Sequence, residues 1–227
     1  KNIIQNNCQG GIIIIPLNFF CSCRQSDIKL RKEFMNIYQI NFIRIFEEPV
    51  FDDTSYTVCV VQFTNKKYFC LSKIKVELLP KNESFEIIFN EENNYTFGGE
   101  IFNLLNNNNI SINRLTKYNI GEKKSNLLLK CIDDDENNKL GLYFKENNDD
   151  LFIDNTDKSS ARAYATLIIN PYIEIEQQKA LAESFNNYIN EKRNFYHSLF
   201  LTNYRESKNN FNRKRISMNL AYQIINF

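Results

Sequence analysis

Gly10-Gly11-Ile12-Ile13-Ile14-Ile15-Pro16 is the stretch on which the reading of the chain turns. Two glycines and four isoleucines make a short continuous apolar run, and Pro16 ends it because proline has no N–H to give a sheet ladder. Such a run predicts a strand buried on both faces, the pattern of a parallel sheet. Downstream, Ile28, Phe34, Met35 and Tyr38 recur at helical spacing, so a helix capped by Ser22 or Ser26 is expected to reach about residue 38. A second strand is expected over 40–46 and a third over 55–63. Strand, helix and strand form one right-handed βαβ unit. The connection Glu47-Glu48-Pro49-Val50-Phe51-Asp52-Asp53 is too short for another crossover helix, so the third strand should pair antiparallel with the second. The expected fold class is α/β, a parallel sheet with an antiparallel edge hairpin.

The 227 residues, 43% of them apolar, can bury a core of one to one and a half domains without staples. Lys+Arg total 28 against 27 Asp+Glu, but the balance is uneven: residues 1–90 carry +2, residues 91–157 carry −6 and residues 158–227 carry +5. An acidic middle beside a basic end fits a bound polyanion. The 35 asparagines read as the coding bias of an AT-rich genome. With His197 the one histidine, a histidine-built metal cage is disfavoured. Cys8, Cys21, Cys23, Cys59, Cys70 and Cys131 are scattered through apolar segments without C-x-x-C spacing, which argues against zinc and against a disulfide frame. Reduced thiols in a cytoplasmic protein, nucleoid-associated or in a viral factory, are the expectation. No leader pattern and no run of 18 apolar residues is present, so no membrane partner is expected. The first residue is Lys, and the chain is expected to start partway through a larger protein.

Gly10 to Phe20, then Leu30-Arg31-Lys32-Glu33-Phe34, then Phe51-Asp52-Asp53-Thr54-Ser55-Tyr56-Thr57-Val58-Cys59-Val60-Val61 resemble, in order and spacing, motifs VI to VIII of the γ-class DNA adenine-N6 methyltransferases of restriction-modification systems. The match covers the first 65 residues closely and the rest loosely. The resemblance implies that residues 1–90 are the C-terminal half of a Rossmann-like catalytic domain and that residues 91–227 are a mixed α+β target-recognition domain. It implies site-specific adenine methylation with S-adenosylmethionine on double-stranded DNA. That chemistry needs a base flipped out of the stack, an acceptor for its amino hydrogens and a methyl donor held in line. In the family an Asn-Pro-Pro-Tyr motif does the polarising. Neither that motif nor a Phe-x-Gly-x-Gly cofactor loop is found here, since Gly10-Gly11 and Gly98-Gly99 do not make the pattern. The implied partners are therefore DNA and an N-terminal catalytic portion or complementary subunit that binds most of the cofactor, and the chain alone should be inactive. Phe51 matches the family's aromatic that stacks on the flipped adenine; read by itself, it would cap the sheet core.

Beyond residue 70, Pro80-Lys81-Asn82-Glu83-Ser84 sits between two apolar stretches and reads as a hairpin. Asn106-Asn107-Asn108-Asn109 reads as a surface loop. Asn113, Arg114 and Lys117 follow a strand start at residue 110; Arg reads guanine and Asn reads adenine in the major groove, so this is a candidate recognition element, or else a plain exposed loop. Asp133-Asp134-Asp135-Glu136 lack the spacing of a calcium loop and read as a solvated hairpin turn. Lys158 and Arg162, among small and hydroxylated residues, suit a close phosphate contact or a plain strand start. A helix over 174–199 should bury Leu181, Phe185, Tyr188, Ile189, Phe195 and Leu199. Arg205, Lys208, Arg213, Lys214 and Arg215, with Glu206 the one acid among them, form the strongest footprint for a DNA backbone, or an interhelical linker, before Ser217 caps a last helix. Two further readings stand beside the enzyme: a non-catalytic DNA-binding specificity subunit or recognition fragment, and a structural protein.

Overall fold

The computed structural model describes residues 2–6, 8–54, 56–66, 73–105, 110–135, 137–147, 151–153, 163–205 and 212–227, the last few of β10 and the first of β11 (203–205 and 212) by backbone alone. They form two compact units, Lys1–Asn103 with Leu199–Arg213, and Leu104–Ser198 with Lys214–Phe227, where the sequence suggested one break at 90/91.

Unit 1 begins with the short helix α1 (Asn2–Gln5), strand β1 (Gly10–Pro16) and helices α2 (Asn18–Cys21) and α3 (Gln25–Ile37), followed by β2 (Tyr38–Phe46), β3 (Val58–Asn65), β4 (Ile74–Leu79) and β5 (Glu83–Ile87). Their order in the sheet is β1-β3-β2-β4-β5. Strand β3 is antiparallel to both β1 and β2, so those two run the same way, and β4 is parallel to β2. The mixed α/β character and the β2–β3 pairing are as expected, but the position of β3 is not. A crossover from β1 to β2 leaves a gap one strand wide, and the short β2–β3 connection returns β3 into it. The hairpin is therefore interior, and β1 is the edge.

That placement also corrects the burial expected for the isoleucines. Ile13 and Ile15 pack on the core, while Ile12 and Ile14 are 68% and 56% exposed. Bonds from Asn65 N to Gln9 O and from Leu17 N to Thr57 O fix the ladder's phase, so the odd residues of β1 face β3 and Gly10, Ile12 and Ile14 turn their N–H and C=O outward. The missing N–H of Pro16 falls on the same outward side, where it costs no ladder bond.

One face of the sheet buries Ile40, Ile43, Ile45, Val61, Phe63, Ile74, Val76 and Leu78 beneath α3, whose Phe34 and Met35 are buried. Phe20, Phe89 and Phe97 form an aromatic cluster with ring centroids 5.2–5.5 Å apart. The other face is polar at one end, where Arg44 and Lys75 pair with Glu77 at 2.6 and 2.8 Å. No side chain caps α3: its N-cap is Arg24, while Ser22 Oγ donates to Asp27. Arg31, fully buried, has no carboxylate partner among the described residues and donates to three main-chain carbonyls, of Phe19 (2.5 Å), Ser22 (2.9 Å) and Asn94 (2.9 Å). Burial pulls its pKa below the ordinary guanidinium value, against the opposing pull of Cys23, Cys21 and Asp27.

In unit 2, β6 (Ser111–Arg114), β7 (Leu127–Lys130), β8 (Gly141–Phe144) and β9 (Tyr164–Asn170) make an antiparallel sheet ordered β6-β9-β7-β8, with α4 (Ile175–Phe195) against β8. Asn186 of α4 closes the open edge of β8: its Oδ1 accepts from Leu142 N at 2.9 Å and its Nδ2 donates to Leu142 O at 2.8 Å. The helix starts with a capping box between Glu174 and Gln177. Its buried stripe is Gln178, Ala182, Phe185 and Ile189; Phe195, expected inside, is exposed, and the helix stops before Leu199. His197 serves the stop. It takes a left-handed φ of 50°, and Ser198 N bonds Arg193 O at 2.8 Å, closing a Schellman turn.

The basic tail is a strand pair, β10 (Thr202–Arg205) with β11 (Asn212–Arg215), before α5 (Met218–Ile225), whose Ser217 cap accepts from Leu220 N as expected.

Replacing Arg31 by Met leaves three buried carbonyls without donors, and we expect a loss of about 3 kcal/mol of stability, partly restored by Lys. Urea unfolding checks this; an unchanged midpoint for R31M would contradict it.

Candidate functional site

Strands β1, β2 and β4 run in one direction, and their last residues form a row across the sheet: Pro16 opposite Val58, Val58 opposite Phe46, Phe46 opposite Leu79. In open α/β sheets the carboxyl ends of parallel strands are where ligands bind, because loops leaving that edge converge there. The loop from Glu47 to Thr57 leaves this row, held at its base by Glu47 N to Leu79 O at 2.9 Å and by Leu17 N to Thr57 O at 2.8 Å. It carries three exposed apolar side chains, Val50, Phe51 and Tyr56, with Phe51 40% exposed and outside the core cluster. Beside the anchor, Asn18 Oδ1 and Thr57 Oγ1 are buried with no hydrogen-bond partner among the described residues, as is Asn65 Oδ1 at the other end of β3. A buried polar atom without a partner carries a desolvation cost, and at this rim two of them lie on adjacent segments.

Arg31 connects this rim to the body of the unit. Its bonds to Phe19 and Ser22 fix the segment that follows β1 and includes Asn18.

A second candidate lies in unit 2. Strand β6 ends at Arg114, and the chain then makes a loop whose two ends are pinned to neighbouring carbonyls of β9: Leu115 N to Thr166 O at 2.8 Å and Ser125 N to Leu167 O at 3.0 Å. Asn113 is exposed on β6, Arg114 is half-buried and Lys117 is exposed in the loop. Arg114 lies close enough to Tyr222 of α5 to oppose the upward shift that burial and Cys131 impose on the phenol. Lys214 and Arg215, both half-buried, join the same unit through their backbone. Lys214 O accepts from Asp133 N at 3.0 Å, and Arg215 bridges Ile132. Arg213 ends unit 1. Lys158, Arg162 and Lys208, the side chain of Arg205, and the asparagines 106–109 lie outside the described residues.

The acidic run lies in the β7–β8 hairpin as expected and Asp135 is exposed there, but the run does not start in solvent; Glu136 lies outside the described residues. Asp133 is buried, pairs with Arg193 at 2.7 Å and accepts from Leu140 N at 2.8 Å. Asp134 accepts from Lys130 at 2.8 Å and from the Tyr164 hydroxyl at 2.5 Å, and Asp135 caps the N–H groups of Asn137 and Asn138. Asp133 and Asp134 tie the β7–β8 hairpin to α4 and β9, and Asp135 closes its turn. Among the described residues no group of three His, Cys, Asp or Glu side chains could hold a metal ion, and no helix is long and apolar enough to cross a membrane. Cys8, Cys21, Cys23, Cys59 and Cys131 are free thiols. An open pocket of about 410 Å³ along α3 is lined by residues such as Lys29, Lys32 and Asn94, and none of the expected site residues lines it.

The residues that sequence reasoning passed over are Asn18 and Thr57 at the rim, and Ile120, Lys123 and Lys124 in the loop; Tyr118 belongs to the candidate recognition stretch as its one aromatic, without a role of its own. The signal for the loop was present in Thr116-Lys117-Tyr118-Asn119, a spacing that lets an Asn side chain close a turn.

No family model matches the chain, and no curated protein matches it.

Burial pushes the Cys131 thiol from 9.0 up to about 12, with Arg215 pulling it down. A raised pKa means that the neutral thiol is favoured in the fold. Its contribution is intact below pH 9 and is lost as pH climbs toward about 12. Urea unfolding at pH 8 and pH 10.5 should show a smaller alkaline loss of stability for C131A than for the unaltered chain; equal losses would contradict the assignment.

Proposed function

We propose that this chain supplies the closing part of a methyltransferase sheet, together with DNA recognition, for site-specific adenine-N6 methylation. The observation that carries the reading is the row of carboxyl ends at Pro16, Phe46 and Leu79, with the loop bearing Phe51 leaving it. An exposed aromatic at that rim is placed where a base removed from the duplex can stack, an interaction of about 1–3 kcal/mol that tolerates any base. Exposure of Ile12 and Ile14 on an edge strand with outward N–H and C=O groups also suits a sheet that continues into a cofactor-binding portion. In this reading S-adenosylmethionine is bound mainly by that portion or by a complementary subunit, which also brings the Asn-Pro-Pro-Tyr motif.

DNA contact is assigned to Asn113, Arg114, Lys117, Lys214 and Arg215 of unit 2, with Lys158 and Arg162 of the same unit and Arg205, Lys208 and Arg213 of unit 1 as further expected contacts. The lack of a catalytic motif anywhere in the 227 residues favours a second reading, a specificity subunit that binds DNA and does no chemistry.

Both readings predict duplex binding whose affinity falls with salt, the logarithm of the binding constant dropping by about 0.9 for each phosphate contact per tenfold salt. Fluorescence anisotropy against a mixed-sequence duplex measures this, and absence of binding at low salt would contradict both. Incubated alone with S-adenosylmethionine and the duplex, the chain should leave adenine unmethylated; methylated adenine would show that the chemistry is encoded here after all.

A further inference from the structure

We propose that the loop between Leu115 and Ser125 enters a groove of duplex DNA with the Tyr118 ring as a stacking wedge. The inference rests on the DNA-binding reading and adds to it the residue that does the insertion.

Three independent observations point to Tyr118. First, the loop is tied by hydrogen bonds at both its ends and at its tip. Its ends are pinned to adjacent carbonyls of β9, and Leu115 is fully buried beneath it. The Asn119 side chain orders the tip: its Oδ1 accepts from Thr116 N at 2.6 Å and from Thr116 Oγ1 at 2.9 Å, and its Nδ2 donates to Arg114 O at 3.1 Å. Compact loops with closed ends and internal packing, mounted on a sheet, are a common way of presenting recognition residues.

Second, this ordered tip displays Tyr118, 77% exposed, with Ile120 also exposed two residues on. The Asn119 turn holds the backbone that carries the ring, with Tyr118 N bonded to Thr116 Oγ1 at 3.3 Å.

Third, the loop that carries the ring is net positive. Residues 114–124 contain Arg114, Lys117, Lys123 and Lys124 against Glu122. Lys117 Nζ stands 5.0 Å from the Tyr118 centroid, so the ring and a cation advance together. Lys123 is held over the Tyr172 ring at 3.4 Å. An aromatic tip beside one cation, on a loop of net positive charge, matches a stack of bases beside phosphates. Inserted side chains of this kind partly unstack a base step and kink the duplex, without reading sequence. The wedge is therefore testable on any duplex.

The experiment uses the 227-residue chain, a mixed-sequence duplex and its single strand, with anisotropy measured across a salt series. Y118A should weaken duplex binding about 10- to 100-fold with the salt slope unchanged, because a ring and not a charge is removed. Y118F should stay within about threefold of the unaltered chain. K117A should lower the slope by about one instead. Because Tyr118 is exposed, Y118A should melt at the same temperature as the unaltered chain. If the unaltered chain binds duplex and Y118A binds it equally well, the wedge is overturned and the DNA reading survives. Loss of affinity in Y118F equal to that in Y118A, a lowered melting temperature for Y118A, or tighter binding to the single strand than to the duplex would each overturn it as well. If the unaltered chain does not bind duplex, the wedge and the DNA reading fail together.

Discussion

A guanidinium buried without a carboxylate is the constraint on which unit 1 depends. Arg31 meets carbonyls from the segment after β1 and from the loop at Asn94, which are distant in sequence. Charge-assisted bonds to carbonyls satisfy the cation, and at the same time they use up acceptors that would otherwise be buried unpaired. The consequence reaches the sheet. With the 17–22 segment fixed, Leu17 can bond Thr57, and the rim that carries the Phe51 loop takes its shape. The Phe20, Phe89 and Phe97 rings then close over α2, with Phe97 N bonded to Phe20 O at 3.0 Å.

Unit 2 solves a different problem, that of a small four-stranded sheet with two open edges, by sending side chains to do what backbone partners would. Asn186 pairs with Leu142 as a strand would. Gln178, fully buried on the same helix, accepts from Asn126 N at 2.7 Å and donates to Ile173 O at 2.8 Å. Asp133 and Arg193 tie the β7–β8 hairpin to the end of that helix. A framework fixed in this way can carry a loop whose tip stays ordered although its side chains point to solvent, and the Thr116–Asn119 turn is such a tip.

Local pattern was legible in the sequence, and pairing across distance was not. The runs at Ile12 to Ile15, 40–46, 127–130 and 167–169 are strands, and Ser217 caps its helix, because each depends on neighbours a few residues away. The continuous isoleucine run misled about burial, since four apolar residues in a row look the same in a central strand and in an edge strand that awaits cover; only the position of β3 distinguishes them. The acidic run misled for a similar reason, as Arg193 lies 60 residues from Asp133 and nothing local announces it. At the candidate sites, Phe51 and Arg114 are nominated by residue type and context, while Asn18 and Thr57 draw notice only once the ladder brings Leu17 against Thr57.

Base stacking at an aromatic loop on the carboxyl ends of a mixed sheet, and duplex contact at a cationic loop on an antiparallel one, are the two proposed tasks. Amide hydrogen exchange of the chain with and without duplex DNA tests that division most directly, because it reports where the nucleic acid lands. The account predicts slowed exchange in residues 111–125 on adding duplex, with strands β4 and β5 unaffected. Unchanged exchange throughout 111–125 under conditions where duplex is bound would contradict it.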